Sequence, residues 1–317
     1  MPSPSNQSLV SVVAPVFNEE EGIAEFHRRV CSAMGDAAFE LVLVDDGSSD
    51  ATDVVLAKIA ASDSRVRVIT LSRNFGHQAA LTAGLETARG DAVVTIDADL
   101  QDPPEVIAAL VDAWHNGADV VHAVRRDRAG ERRTRLALIG VFYWLLQRTT
   151  SLRTYPGNTG DFRLLSRRAA DALNDLPERS RFLRGLVTWI GFEQAVVYYD
   201  RDARFAGASK YPYRKLIQLA IDGMLSFSVI PLRAASILGL IMSLLGALAI
   251  PVVVVLRITG DYSLTGIAST QILILLLGGM QLTCLGVIGE YLGRAYEELK
   301  RRPVYIVGKD SADPSRI

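Results

Sequence analysis

The chain reads as an α/β domain built on a mostly parallel sheet, followed by two apolar helices. Three observations carry that expectation. Short, nearly continuous apolar runs recur through the first two-thirds with helical patterns between them, as in sheets buried on both faces. Carboxylate-rich clusters stand at the ends of those runs, where open α/β sheets bind their ligands. Two uncharged stretches, residues 234–256 and 267–289, lie in the last third.

The expected strands are Leu9–Ala14, Phe39–Val44, Val66–Leu71, Ala92–Asp97 and Asp119–Val124, with helical patterns such as Glu20–Met34 and Asp50–Ala61 between them. Over 317 residues, 49% hydrophobic and 22% charged supply a core and exclude a disordered chain. Lys plus Arg (34) balances Asp plus Glu (35) for a net charge of −1, so no global basic footprint for nucleic acid exists. Cys31 and Cys284 are too few for a disulfide framework or a zinc site and read as thiols of a reducing compartment. The opening MPSPSNQSLV has neither a basic region nor an apolar run, so no signal peptide is expected.

A mean hydropathy of +0.21 reflects the two late stretches. At about 1.5 Å per residue each helix reaches about 34 Å, enough for a hydrocarbon core of about 30 Å. Pro251 kinks the first, which membranes tolerate. Arg257 is the only Lys or Arg of the connecting loop, whereas Lys210, Arg214, Lys215 and Arg233 precede the pair and Arg294, Lys300, Arg301 and Arg302 follow it. The positive-inside rule then makes a two-pass integral membrane protein with its N-terminal domain and both termini cytoplasmic. The expected division is 1–210 cytoplasmic catalytic domain, 211–233 amphipathic juxtamembrane segment, 234–256 and 267–289 transmembrane helices, and 290–317 cytoplasmic tail. Residues 132–148 and 211–232 suit the headgroup plane, or an ordinary core helix. The row Gly239, Ser243, Ala247 and the pair Gly289 and Gly293 hint at a homo-oligomer.

Within the soluble part, Asp97, Asp99 and Gln101 alternate along one segment, and alternation on an extended backbone puts them on one side. Two carboxylates and an amide oxygen suit Mg²⁺ or Mn²⁺ rather than zinc. The plain alternative is a helix start in which Asp102 caps and Pro103 begins the helix. The run Asp45 to Thr52 offers carboxylates to a ribose or base, or forms a turn with Asp50 capping the next helix. Neither a Walker A loop nor GxGxxG occurs, against a kinase or dinucleotide oxidoreductase.

Together, Ala14-Pro15-Val16-Phe17-Asn18-Glu19-Glu20, Val44-Asp45-Asp46-Gly47-Ser48-Ser49-Asp50 and Ile96-Asp97-Ala98-Asp99-Leu100-Gln101-Asp102-Pro103-Pro104 resemble family 2 glycosyltransferases of the GT-A fold, a Rossmann-like α/β architecture. Leu71-Ser72-Arg73-Asn74-Phe75-Gly76-His77-Gln78-Ala79-Ala80 and the paired C-terminal spans narrow the likeness to polyprenyl-phosphate glycosyltransferases, relatives of bactoprenol glucosyltransferases and dolichol-phosphate mannose synthase. The resemblance covers roughly residues 9–305.

The resemblance implies that Pro15, Phe17 and Glu19 hold the nucleotide base and ribose, that Asp46 contacts the nucleoside, and that Asp97, Asp99 and Gln101 hold the cation on the donor diphosphate. It places Arg125 near the phosphates and Arg204, Ser209 and Lys210 on a loop closing over the donor. Asp161 stands at the position usually proposed as acceptor-side base. A phosphate monoester is already mostly dianionic near pH 7, so little proton abstraction is needed, and Arg163 with Arg132, Arg133 and Arg135 are candidates to neutralise the repulsion. His77 reads as a structural imidazole. Trp114, Trp144 and Trp189 are not preceded by Arg, so the Gln-x-x-Arg-Trp motif of processive synthases is absent. The implied reaction is inverting transfer of one sugar, UDP-glucose first, to polyprenyl phosphate at the membrane face. GDP-mannose or a UDP-amino sugar as donor, and a catalytically inactive nucleotide-sugar binding protein, stay open.

Overall fold

A computed structural model describes residues 8–126, 159–179, 181–200, 229–259 and 266–313. The chain divides into two compact units, 1–220 with 302–317, and 221–301.

The first unit is an eight-stranded sheet flanked by helices. Strands β1 (Val10–Val16), β2 (Phe39–Asp45), β3 (Val66–Leu71) and β4 (Ala92–Thr95) alternate with α1 (Ile23–Met34), α2 (Thr52–Ser62) and α3 (His77–Thr87). Then come a 3₁₀ turn (Pro104–Val106), α4 (Ile107–His115), β5 (Val120–Arg125), β6 (Thr159–Ser166), α5 (Arg167–Asn174), α6 (Leu183–Trp189), β7 (Gln194–Tyr199) and β8 (Val307–Asp310). The spatial order is β7-β5-β6-β4-β1-β2-β3-β8. β3, β2, β1 and β4 are mutually parallel, as is β5 with β7, while β6 runs antiparallel to β4 and β5. The sheet is therefore mostly parallel, as the apolar runs imply.

Sequence pattern explains the packing. Ile23, Phe26, Val30 and Met34 recur at helical spacing on α1, and all four are buried. β1 is buried along its whole length, and Leu41 and Leu43 of β2 lie fully inside. α3 packs so closely on the sheet that a Cβ at Gly84 would stand 2.2 Å from Val13 Cγ1. The chain moves outward from β1 to β2 and β3, then returns to place β4 on the other side of β1. That reversal opens a crevice at the carboxyl ends of β1 and β4, where such sheets bind ligands.

Two local expectations are corrected. β4 ends at Thr95 rather than Asp97, and residues 98–99 turn, with Leu100 at φ 57°. Asp97, Asp99 and Gln101 are gathered by a turn and do not alternate along a strand. Asp102 caps no helix: Pro103 stands at the cap position of the 3₁₀ turn without a side-chain bond. The Asp102 carboxylate instead accepts from Tyr199 Oη at 2.6 Å and Arg125 Nη2 at 3.2 Å, because burial demands charged or hydrogen-bonded partners. Asp50 does bond the start of its helix, accepting from the Thr52 N–H at 3.1 Å.

The second unit holds α7 (Ile230–Thr259) and α8 (Gly266–Lys300), which pack together, with Cys284 Sγ 3.7 Å from the Ala235 carbonyl oxygen. Within α7, Ile230–Val252 is long and apolar enough to cross a membrane, and it is the one such helix among the described residues. Its Leu240, Leu244, Leu248 and Ile250 are each 60% exposed or more, so they are not the core of a water-soluble bundle. α8 continues past residue 289 to Lys300.

The end of the chain differs from a plain tail. Val307–Asp310 adds to the outer edge of β3 as an antiparallel strand, and Arg67 forks onto Asp310 at 2.6 and 3.0 Å. Ser72 N–H donates to the Ile306 carbonyl at 2.9 Å. The edge of β3 would otherwise expose unpaired backbone groups.

Candidate active site

The loops after β1 and β2 lock into one another. Asn18 takes the left-handed conformation (φ 53°). Its side-chain oxygen accepts from the Ser49 N–H at 2.8 Å while its own N–H donates to Ser48 Oγ at 3.0 Å. Glu19 N–H donates to Thr52 Oγ1 at 2.9 Å, and Glu20 accepts from the Ala51 N–H at 2.9 Å. Pro15 lies inside β1 beyond the pairing with β4, which ends at Val13 and Thr95. Phe17 is 46% exposed at the rim, an aromatic face turned to solvent beside this cup.

Asp46 is buried and accepts from the backbone N–H groups of Phe75 (2.7 Å) and Gly76 (2.9 Å). Burial pushes its carboxyl up, and those two donors oppose the shift. The same turn comes so close to Gly47 (φ 70°) that a Cβ there would stand 2.6 Å from the Arg73 carbonyl carbon. Asp46 thus fixes the loop that leads into α3, and glycine is required beside it.

The turn after β4 presents Asp97 and Asp99. Asp97 Oδ1 is shut off from solvent yet has no hydrogen-bond partner. Burial first, and then the charges of Asp161, Asp102 and Asp99, push its carboxyl up to about 6, against the pull of His77. Asp99 Oδ1 accepts from the Gln101 N–H at 3.1 Å, and Gln101 is itself buried. An oxygen without a partner amid like charges, flanked by another carboxylate and an amide, is a donor set that fits a hard divalent cation.

Asp161, near the start of β6, is in the opposite state. Arg184 of α6 forks onto it, Nε to Oδ1 at 3.0 Å and Nη2 to Oδ2 at 2.8 Å. Arg163 Nη2 donates to Oδ1 at 3.2 Å and Gln78 Nε2 to Oδ2 at 3.4 Å. Burial alone would push this carboxyl up; Arg184, His77 and Arg163 outweigh it and hold the group well below the usual carboxylate range. His77 bridges the two acids, its Nε2 3.3 Å from Asp161 Oδ2 and 3.5 Å from Asp97 Oδ1. Burial works against its charged form, yet Asp97 and Asp161 raise its pKa to about 9.

Arg125 is not a solvated surface charge. It closes a triad with Asp102 and with Tyr199, whose hydroxyl lies 3.0 Å from Arg125 Nε. Sequence reasoning left His77 as structural and passed over Arg184, Gln78 and Tyr199. The only local signal was a His-Gln pair at a helix start; Arg184 carries none, because its partner comes from another element. Arg204, Ser209 and Lys210 lie outside the described residues, as do Arg132, Arg133, Arg135 and residues 132–148 and 211–228.

A second polar cluster, His27, Cys31 and Asp63, sits at the opposite edge of the sheet. Arg65 already forks onto Asp63 at 2.9 and 2.8 Å and reaches Cys31 Sγ at 3.6 Å, so the cluster is neutralised by a guanidinium.

Comparison with known proteins matches residues 11–173 to the model of glycosyl transferase family 2. The chain is 46% identical over 301 residues to the Bacillus subtilis glycosyltransferase YkcC, covering 94% of this chain and 93% of that protein. It is 41% identical over 302 residues to the bactoprenol glucosyl transferase of Shigella phage SfII, covering 95% and 97%. Among solved structures it resembles glucosyl-3-phosphoglycerate synthase from Mycobacterium tuberculosis in complex with Mn²⁺, uridine diphosphate and phosphoglyceric acid. There the TM-score is 0.51 at 24% identity, over 69% of this chain and 76% of that one, a likeness of fold.

Proposed function

The chain belongs to glycosyl transferase family 2, and on that premise we propose that it moves a single glucose from a nucleotide-sugar, UDP-glucose, to polyprenyl phosphate at a membrane surface. The reading rests on relatives named for bactoprenol glucosyl transfer over nearly the whole chain. One structural observation carries the chemistry. At the crevice between β1 and β4, an unpartnered carboxylate oxygen of Asp97 stands one bridging histidine away from a cation-clamped Asp161.

The cup of Pro15, Phe17 and Glu19 takes the base and ribose, with Phe17 as the stacking face and Asp46 holding the loop behind it. Asp97, Asp99 and Gln101 would hold Mg²⁺ or Mn²⁺. When bound, such an ion supplies electrostatic stabilisation of charge on the departing diphosphate. Arg125, fixed by Asp102 and Tyr199, faces the same phosphates, and Arg204, Ser209 and Lys210 close over them. The acceptor phosphate oxygen attacks the anomeric carbon as the nucleoside diphosphate leaves from the other side, so configuration inverts. Asp161 is a positioning residue in this scheme, since its carboxyl is already ionised and occupied.

For the membrane, we place α7 and α8 as a two-pass hairpin over 234–256 and 267–289, with 211–233 at the surface. The catalytic domain, 1–210 together with the returning C-terminal strand, then lies on the cytoplasmic side with both termini. The Lys and Arg flanking the pair support that orientation. The deciding experiment incubates purified full-length protein with labelled nucleotide-sugars and polyprenyl phosphate and weighs the lipid product. One hexose added from UDP-glucose is expected. Nucleotide binding without any sugar on the lipid would leave a membrane-anchored binding protein instead.

A further inference from the structure

We infer that Arg184, assisted by His77, forms the subsite for the acceptor's phosphate monoester, and that Asp161 is the buried anion that holds both in place. This rests on the transfer reading above and names the residues that recognise the acceptor.

The arrangement of charge is the argument. Asp161 and Arg163 are buried, 2% and 3% exposed, whereas Arg184 and His77 are 28% and 41% exposed. The cluster therefore turns its donors outward and keeps its carboxylate behind them. Two guanidiniums on one carboxylate leave a surplus positive charge before any proton on His77 is counted. A surplus cation in a desolvated place is costly unless an anion arrives. The acids nearby are Asp97, Asp99 and Asp102. Asp102 is paired with Arg125 and Tyr199, and Asp97 with Asp99 forms the cation set on the donor side.

The reaction brings two anions into one crevice, a diphosphate and a monoester that is largely dianionic near pH 7. The site has two positive centres to receive them. The carboxylate turn after β4 serves the diphosphate through its cation, and the Arg184 cluster remains for the monoester. A planar guanidinium suits phosphate oxygens as a fork. The second anchor of the geometry is α3. Gln78 Oε1 accepts from the Leu183 N–H at 3.1 Å while its Nε2 reaches Asp161, so the start of α6 and the start of α3 are tied together. His77 and Arg184 are thereby held on the same carboxylate.

The test uses full-length protein in detergent, with farnesyl phosphate as a soluble acceptor probe. Arg184→Gln should weaken farnesyl phosphate, by equilibrium binding and by acceptor KM, about tenfold or more, the scale of one lost charge-assisted hydrogen bond. Affinity for uridine diphosphate with Mn²⁺ should stay within about twofold, and Arg184→Lys should restore part of the acceptor binding. Because Arg184→Gln uncovers a buried carboxylate, the double variant Arg184→Gln/Asp161→Asn guards against misfolding. It should keep uridine diphosphate binding and still bind farnesyl phosphate poorly. Wild-type acceptor affinity in the double variant overturns the proposal, as does parallel loss of nucleotide affinity in Arg184→Gln. Binding of farnesyl phosphate that needs Arg184, without sugar transfer by the wild type, would sink the transfer reading and leave the subsite standing. Transfer with an unchanged acceptor KM in Arg184→Gln would do the reverse.

Discussion

Asp97 and Asp161 face the same crevice within reach of the same histidine, yet their surroundings drive them in opposite directions. Asp97 follows a parallel strand, has one oxygen without a donor, and has its carboxyl pushed up to about 6 by burial and neighbouring acids. Asp161 begins an antiparallel strand, takes two guanidiniums and an amide, and is held well below the ordinary range. Carboxylates of equal intrinsic acidity are thus sorted by what each is given. One is short of a cation and the other is already saturated. The lesson is that a carboxylate in a family motif is not a base by position: the guanidiniums around Asp161 leave it nothing to abstract a proton with near neutral pH.

The largest effect should come from emptying the cation-seeking side. Chelation with EDTA is expected to abolish transfer, and Asp99→Ala to cost at least ~10²-fold in kcat/KM, the scale of one major electrostatic stabiliser. Full activity in chelator would break the contrast at its donor end. Next comes Asp161→Asn, for which an anchoring role predicts a loss of ~10- to 10²-fold that falls mainly on the acceptor. The wild-type pH–rate profile should carry no limb from Asp161 between pH 5 and 9, and any acid limb near about 6 belongs to the acceptor phosphate. A loss of ~10³-fold or more, constant from pH 6 to 9, would mark a true base and reverse the reading.

A smaller effect separates the two acids by the sign of their pH dependence. The folded-state pKa of Asp97 is raised, so without metal its contribution to stability declines as pH rises from the unfolded value of about 4 toward about 6. That of Asp161 is depressed, so its contribution is present above about 4 and is lost as pH falls below it. Metal must displace the Asp97 proton, so Mn²⁺ should raise Tm more at pH 7 than at pH 5, with affinity falling about tenfold per pH unit below 6. A pH-independent Tm shift would remove Asp97 from the cation set. The smallest expected change is Tyr199→Phe, which deletes the hydroxyl shared by Asp102 and Arg125. It should cost about 1.5–3 kcal/mol of stability in denaturant titration and leave Mn²⁺ affinity nearly unchanged, since Arg125 still pairs Asp102. A large drop in affinity would show that the Asp102 pairing sets the charge on Asp97.

The sequence by itself determined whatever depends on local pattern. Continuous apolar runs at β1 to β5 can only be buried on both faces, which makes a parallel sheet with its polar clusters at the carboxyl ends. The order of the Pro15–Glu19, Asp46 and Asp97–Gln101 motifs was enough to read the donor half, because each is a loop directly after its own strand. The apolar length of α7 was equally plain. Tertiary structure alone decided the rest. β6 is held between β4 and β5 by antiparallel pairing, and β8 returns from the far end of the chain to the β3 edge, neither with a distinctive pattern of its own. The turn at Leu100 replaced an expected extension because β4 stops where its pairing with β1 stops, at Thr95. The clamp on Asp161 joins groups as far as 83 residues apart. Charge interactions act through space with no period along the chain, so no local reading finds them.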